Sequence, residues 1–522
     1  MPACPAPPRC GRRPHRPALD QQRRRTTVST GEEFDVVVVG GGPSGSTVAS
    51  FVAMQGHRVL LLEKESFPRY QIGESLLPAT VHGICGLLGV SEEIERAGFM
   101  RKHGGTFRWG SSPEPWSFAF AISPRMAGPT SHAYQVERMK FDDILLKHSR
   151  KLGVEVREEC SVVEVTEDEE RVRGLVYTDS TGARHTVGAR FVVDASGNKS
   201  RIHRDAGGDR IYSDFFRNIA IFGYFEGGKR LPAPRDGNIF CAAFDEGWFW
   251  YIPLSDRITS VGAVVSREFA DSVQGDPADA LSRLIAKCPR IDDMLADAER
   301  ITEGVYGQVR VRKDYSYSNS RYWRPGMVLV GDAACFVDPV FSSGVHLATY
   351  SALLAARSIN TVLAGDLGED ESFAEFEARY RHEYGLFYEF LVSFYDMNSD
   401  HESYFWQAKK VTAFAESELE AFVELVGGVA SLDGTFVDAE SARARFKHTA
   451  GELERSVSQV DRTRGDDSTP MYQSDIMGSV MEQGTQIQVQ AVLGGDLDPE
   501  AALFPGGLVP SADGLRWAAA AE

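Results

Sequence analysis

No run of 18 uninterrupted apolar residues occurs anywhere in this 522-residue chain, so no membrane-spanning helix is expected. Cysteine is sparse: seven residues, at positions 4, 10, 85, 160, 241, 288 and 335, without a C-x-x-C pair. An odd, scattered set of this kind offers neither a disulfide framework nor a zinc site, and it reads as reduced thiols in a cytoplasmic protein. Positive charge is also short. Lys and Arg number 56 against 74 Asp and Glu, a formal charge of −18, which argues against nucleic acid as a partner because phosphate binding needs clustered cations. No internal repeat is visible, and no G-x-S-x-G elbow surrounds Ser342 and Ser343, so hydrolase chemistry is rejected.

The chain ends are poor in core-forming residues. Residues 1–30 hold seven Arg, one Asp, six of the 24 prolines and almost no large apolar side chains. Such a segment cannot bury enough surface to fold, and no apolar stretch follows it to make an export signal. The expectation is a disordered basic head over residues 1–33, with translation starting near Val28. Past Thr463 the chain is rich in Gly, Asp and Pro without periodicity, and a mobile tail is expected over 464–522.

What is present is a nucleotide signature. In "EFDVVVVGGGPSGSTVASFVAMQGHRVLLLEKE" an apolar β-branched run reads as a buried parallel strand. Gly40, Gly42 and Gly45 follow as G-x-G-x-x-G, then a helical pattern, then a second strand ending at Glu63. The glycines allow a tight turn and close approach of a pyrophosphate to the helix N-terminus, here Pro43, Ser44, Gly45 and Ser46. The acid Glu63, with Lys64 beside it, takes a ribose hydroxyl. The unit does not choose between FAD and NAD.

Two distant segments bear on that choice. "FVVDASGNKSR" (191–201) is another apolar strand, ending in Asp194. "GMVLVGDAACFVDPVFSSGVHLATYSALLAARSI" (326–359) reads as strand, Gly331-Asp332, loop and long helix. Periodicity shows no more than that, and by itself Asp332 reads equally as a turn acid. The arrangement resembles FAD proteins of the aromatic-hydroxylase type. That resemblance implies an Asp332 bond to the ribityl chain and a helix N-terminus facing the flavin ring.

A shorter stretch narrows the resemblance. "GWFWYIP" (247–253) places two of the seven tryptophans one residue apart, on one side of a short strand. It is similar to the W-x-W-x-I-P signature of flavin-dependent halogenases, at Trp248, Trp250, Ile252 and Pro253. The likeness covers about residues 34–410, includes "FPRYQIGESLLPATVHG", "KHGGTFRWG", "YQVERMKFD" and "DPVFSSGVHLATYSALLAARSIN", and is greatest to the phenol-chlorinating enzymes of glycopeptide-antibiotic assembly. The resemblance implies an enzyme fed with FADH2 by a separate flavin reductase, using chloride and O2. A flavin C4a-hydroperoxide would be attacked by chloride, with Trp248 and Trp250 as a wall that keeps substrate from the peroxide. Hypochlorous acid would then reach a lysine, by motif Lys102, which forms a chloramine or donates a hydrogen bond to it.

The same resemblance assigns Gly73, Glu74, Arg138, Gly344 and Val345 to the cofactor, and Ser343 and Gly344 to the halide. No metal is implied. It also implies a tyrosine-like substrate on a peptidyl carrier protein, chlorinated ortho to the hydroxyl. Each residue has a plainer reading: the tryptophans as core, Lys102 as a solvated lysine with Arg101 and His103 as register alternatives, Arg138 as a surface ion pair and Glu74 as a structural acid. Rival functions are an aromatic-hydroxylating flavin monooxygenase and a flavin-binding docking protein without catalysis.

The fold class expected is α/β, with a Rossmann-like FAD domain and an interleaved substrate-side sheet over 34–390. A helical region is expected over 391–463. Phe373, Phe376, Tyr380, Tyr384 and Phe387 recur at helical spacing and read as a core stripe.

Overall fold

The computed structural model describes residues 31–109, 115–120, 131–313, 315–399 and 507–519. The elements framing the site are, in chain order, β1 (Glu32–Val39), α1 (Pro43–Met54), β2 (Val59–Leu62), β3 (Gly104–Arg108), α2 (Arg138–Lys151) and β4 (Arg184–Asp194). They continue with β5 (Asn218–Glu226), β6 (Ile239–Phe244), β7 (Gly247–Pro253), β8 (Ile258–Ser266) and β9 (Met327–Leu329). Last come α3 (Ser343–Ala364), α4 (Glu369–Ser399), β10 (Leu508–Pro510) and β11 (Trp517–Ala519).

Val36 to Val39 are β-branched and buried, so they favour extended backbone covered on both faces. They place β1 in the middle of a parallel layer ordered β9-β4-β1-β2 and then Glu155–Arg157. This sheet is assembled from three separated parts of the chain. α1 packs against both α2 and α3. The second sheet runs β5-β8-β7-β6-β3, antiparallel except for the parallel β6–β3 pair. Its strands lie between β4 and β9 in sequence, apart from β3, so the two layers are interleaved.

β7 has a core on each face. Trp248, Trp250 and Ile252 belong to the large core shared with the cofactor sheet. Phe249 and Tyr251, pointing the other way, pack with Leu281 and Leu284 of the amphipathic helix Pro277–Ala286. The aromatic stripe of α4 is buried as the spacing predicts, with Phe373, Phe376, Tyr380, Tyr384 and Phe387 all at 3% exposure or less.

Three expected boundaries move. β1 starts at Glu32, inside the expected head, because Glu32 and Glu33 pair with Val187 and Gly188. α4 continues past 390 to Ser399. Residues 508–519 are a hairpin rather than a mobile tail, with Trp517 2% exposed against α3. Backbone and side chain of Trp517 donate to Thr361 Oγ1 (2.8 Å) and Ser358 Oγ (2.9 Å). The rest of the expected head, helical region and tail (1–30, 400–506 and 520–522) lies outside the described residues.

Candidate active site

The β1–α1 turn is built by glycine at the positions where a side chain does not fit. Gly40 has φ of +103°, and a Cβ there would lie 2.5 Å from Ala195 O. A Cβ on Gly45 would lie 1.8 Å from Gly40 O, so helix and strand meet only because it is absent. Gly42 caps α1 without any side-chain hydrogen bond, leaving first-turn N–H groups open toward a cavity of about 480 Å³. Glu63 lines this cavity, and its two oxygens accept the N–H groups of Gly41 (2.7 Å) and Glu65 (2.9 Å).

The cavity gathers most of the cofactor residues read from sequence. Gly40, Gly42, Pro43, Ser44, Glu63, Lys64, Gly73, Arg138, Asp332, Gly344 and Val345 line it. Gly45 and Ser46 do not, being packed behind the turn, where Ser46 donates to Gly41 O. Glu74 does not line it either; its carboxyl turns inward to the Tyr224 hydroxyl at 2.7 Å. Arg138 is no surface ion pair. It is 7% exposed, bound twice to Asp142, and donates to Ile72 O (2.6 Å) and Gly73 O (3.2 Å), which fixes that loop against the cavity. Burial pushes the Asp332 carboxyl up to about 6, with Arg138 and Arg210 pulling the other way. Basic side chains that sequence reading passed over, Arg69, Lys199, Arg201 and Arg312, also line the cavity. Their signal was absent because they come from three separate parts of the chain, Arg312 from the strand Arg310–Lys313. Open N–H groups, cations and two acids, Glu63 and Asp332, lining one cavity fit a dinucleotide with its pyrophosphate.

At the far end, α3 begins at Ser343 after Ser342, which adopts φ of +63°, a left-handed conformation rare for serine. No side chain caps this helix, and Ser343 Oγ is buried without a partner. Ser343 lies behind the cavity surface while Gly344 and Val345 lie on it. Open N–H groups at the start of a 22-residue helix suit a halide.

The two indoles sit side by side, ring centroids 6.2 Å apart. Trp250 lines the cavity and Trp248 lies beyond it. Room for Trp250 is made by Gly262 opposite it on β8, where a Cβ would lie 2.3 Å from the ring. A glycine in mid-strand is a sequence signal for such close approach. Trp250 donates to Ser260 Oγ (3.2 Å), and Trp248 donates to the Tyr395 hydroxyl near the end of α4.

Lys102 is outside the cavity lining and 2% exposed. Its Nζ donates to Leu76 O (3.0 Å) and Ser342 Oγ (3.4 Å), and lies 5.7 Å from the Phe120 ring centroid. No carboxylate pairs with it among the described residues. Burial therefore brings its pKa down to about 7, with only the Cys241 thiol opposing. The register alternatives differ: Arg101 is exposed and paired with Glu95, and His103 is part-buried. Among the described residues no cluster of His, Cys, Asp and Glu could hold a metal, and five buried cysteines are free thiols.

Fold and cavity together define a flavoprotein-type oxidoreductase in which a tryptophan-bearing sheet closes the cofactor site. The comparison with known proteins is more specific. The chain matches the tryptophan halogenase family model over residues 35–127 and 123–453, and it belongs to that family of flavin-dependent halogenases. It is similar to the myxobacterial chondrochloren halogenase CndH, described as a new variant of FAD-dependent halogenases. Identity is 52%, coverage is 93% of this chain and 100% of that one, and the TM-score is 0.71. The flavin-dependent halogenase CmlS is 35% identical over 80% of this chain and 78% of that one, with a TM-score of 0.66. A tryptophan 2-halogenase of Chondromyces crocatus is 33% identical over 441 residues, 83% of this chain and 80% of its own.

Family membership decides for halogenation over hydroxylation and over a non-catalytic flavin binder. The enzyme uses FADH2, chloride and O2, with the reduced flavin delivered by a separate reductase. No helix of the described residues is long and apolar enough to cross a membrane.

Proposed function

We propose that this enzyme chlorinates a tyrosine-like phenol ortho to its hydroxyl, the substrate being presented on a peptidyl carrier protein, and that Lys102 delivers the electrophilic chlorine. The observation that carries the lysine role is its burial without a counter-charge, beside Ser342 and outside the cofactor cavity. An ammonium so placed is poorly solvated, and its pKa of about 7 leaves much of it as free amine near neutrality.

In this reading Gly40, Gly42 and the α1 N-terminus receive the pyrophosphate, Glu63 a ribose, Asp332 the ribityl chain, and Gly344 and Val345 the flavin edge and halide. Arg138 holds the Ile72–Gly73 loop that borders them. FADH2 held there would supply the electrons that turn oxygen into the oxidant for chloride. Trp250 and Trp248 keep the organic ring on the lysine side, so that only a small oxidised chlorine species passes. The phenolic substrate and carrier rest on the resemblance to glycopeptide-pathway enzymes over about residues 34–410, and the carrier also on the chain after residue 390. A tether also raises effective concentration and presents one ring edge repeatedly.

The test is mass spectrometry after incubation with reductase, NADH, FAD, oxygen and chloride. Carrier-bound tyrosine, free tyrosine and free tryptophan are compared at equal concentration. Chlorine-for-hydrogen exchange on the carrier-bound ring alone supports the proposal. Equal turnover of both tyrosine forms removes the carrier, and preference for tryptophan replaces the phenol with an indole.

A further inference from the structure

Glu74 has no part in the roles above, yet it is a buried acid with an unusual connection. Its side chain is 3% exposed, and Oε1 accepts the Tyr224 hydroxyl at 2.7 Å. Tyr224 shares a second 2.7 Å hydrogen bond with the Tyr70 hydroxyl, and Tyr70 lines the cofactor cavity. Oε2 makes no well-formed hydrogen bond, although the Ser260 hydroxyl, which accepts the Trp250 indole N–H, bears on the carboxyl. Glu74 therefore sits behind the indole that closes the cavity, and a chain of two hydroxyls joins it to the cavity itself. Hydroxyl hydrogens rotate to suit their partners, so such a chain conducts a proton in either direction.

The surroundings favour a carboxyl that holds a proton at neutrality. Burial pushes Glu74 up to about 7, against the Tyr224 and Ser260 hydroxyls and the Arg138 guanidinium of α2. Glu137 adds to the rise and itself accepts the Tyr306 hydroxyl at 2.7 Å, the Tyr306 ring lying 4.4 Å from that of Tyr224. Burial also raises the two relay tyrosines, Tyr70 to about 12, although Arg310 stands over its ring at 3.8 Å.

The family's chemistry needs such a group. Chloride oxidation consumes one proton: FADH2 + O2 + Cl− + H+ → FAD + HOCl + H2O. The unproductive alternative, FADH2 + O2 → FAD + H2O2, consumes none. We propose that Glu74 supplies the proton for chloride oxidation, delivering it to the cofactor cavity through Tyr224 and Tyr70. Glu74 gives its proton to Tyr224, Tyr224 passes its own to Tyr70, and Tyr70 passes its own into the cavity. Cavity water returns a proton along the same chain after turnover. The inference rests on the chloride chemistry of the family and is independent of the organic substrate.

The test uses single turnovers of the FADH2-loaded enzyme with oxygen, measuring H2O2 released per flavin with and without chloride. In the native enzyme chloride lowers the peroxide yield, and this effect fades as pH rises through about 7, where Glu74 gives up its proton. Glu74→Gln and Tyr224→Phe should release nearly one H2O2 per flavin whether or not chloride is present, with FAD affinity unchanged. Tyr224→Phe keeps the carboxyl and the packing and cuts only the link, so it decides the matter even if Glu74→Gln folds poorly. Infrared titration of the cofactor-free protein should show a protonated carboxyl near neutrality that Glu74→Gln removes. A native chloride effect in Glu74→Gln or Tyr224→Phe overturns the proposal, as does loss of FAD affinity, which would make Glu74 a cofactor-holding residue. The same phenotype from Asp338→Asn alone also overturns it, because the buried Asp338, pushed up to about 6, is the rival acid, beside the cavity-lining Tyr315.

Discussion

Lys102 costs the fold stability in a pH-dependent way. Its folded pKa of about 7 lies below the ordinary 10.5. Between those values the unfolded chain carries the proton and the folded chain does not, so stability rises with pH across that window. Lys102→Met retains a flexible apolar stem and removes the ammonium. It should flatten that rise and stabilise the protein by about 2–4 kcal/mol at pH 7 in urea unfolding, while chlorination is lost and FAD binding stays. A variant that chlorinates at the native rate, or whose stability keeps the native pH slope, would remove Lys102 from the account. Sequence alone pointed to Lys102 by motif and left Arg101 and His103 as register alternatives. Pairing of Met100–Lys102 with Ala133–Gln135 turns Arg101 to solvent and Lys102 inward.

Strand β7 shows how one element serves two cores. Alternation sends Trp248 and Trp250 toward the cofactor layer and Phe249 and Tyr251 toward the outer helix. The tryptophan pair therefore depends on its neighbours in register: Ala243 and Val264 beside Trp248, Cys241 and Gly262 beside Trp250. Gly262→Ala should displace the Trp250 ring, because the new Cβ would meet ring carbons and Phe222 Cβ at 2.3–2.5 Å. Overpacking of this kind costs about 1–3 kcal/mol, read by thermal unfolding, and the near-ultraviolet dichroism of the indoles should change with it. An unchanged Tm and spectrum would mean that β8 gives way and the glycine is not needed to seat the Trp250 ring.

At the scale of the molecule, α3 joins the Gly344 side of the cavity to the C-terminal hairpin. The helix starts at Ser343 beside Gly344 on the cavity surface, and its later turns hold β10–β11. Arg357 donates to Gly514 O (2.6 Å) and Asn360 to Leu515 O (3.0 Å), and from α4 the Arg379 guanidinium reaches Leu508 O. Trp517→Ala should cost about 3–5 kcal/mol in urea unfolding, since it empties a buried site and leaves Ser358 Oγ without its indole donor. Removing residues 1–27, which lie outside the described residues, should leave Tm and activity unchanged, because their composition offers almost no core-forming side chains. Similar losses from both changes would show that the head contributes to the fold as well.

Local pattern determined the parts that depend on local physics. Valine runs bounded by glycine specify β1 and its turn, because the steric demand at Gly45 comes from Gly40, five residues away, whereas that at Gly40 comes from Ala195 on the neighbouring strand end. The 3, 4, 4, 3 spacing of α4's aromatics specifies a buried helical face, because side chains so spaced share one side. The tryptophan pair is legible as two rings on one face for the same reason, and its family signature names the chemistry. Only the tertiary structure decided what stands on each side. It turned Glu74 from the cofactor to Tyr224, took Arg138 from the surface into a buried pair with Asp142, and brought Lys102 to Ser342 across 240 residues of chain. It also folded residues 508–519 onto α3, although their own composition reads as a tail. Burial and pairing are properties of the partners a residue meets, and those partners come from segments that no short window of sequence contains.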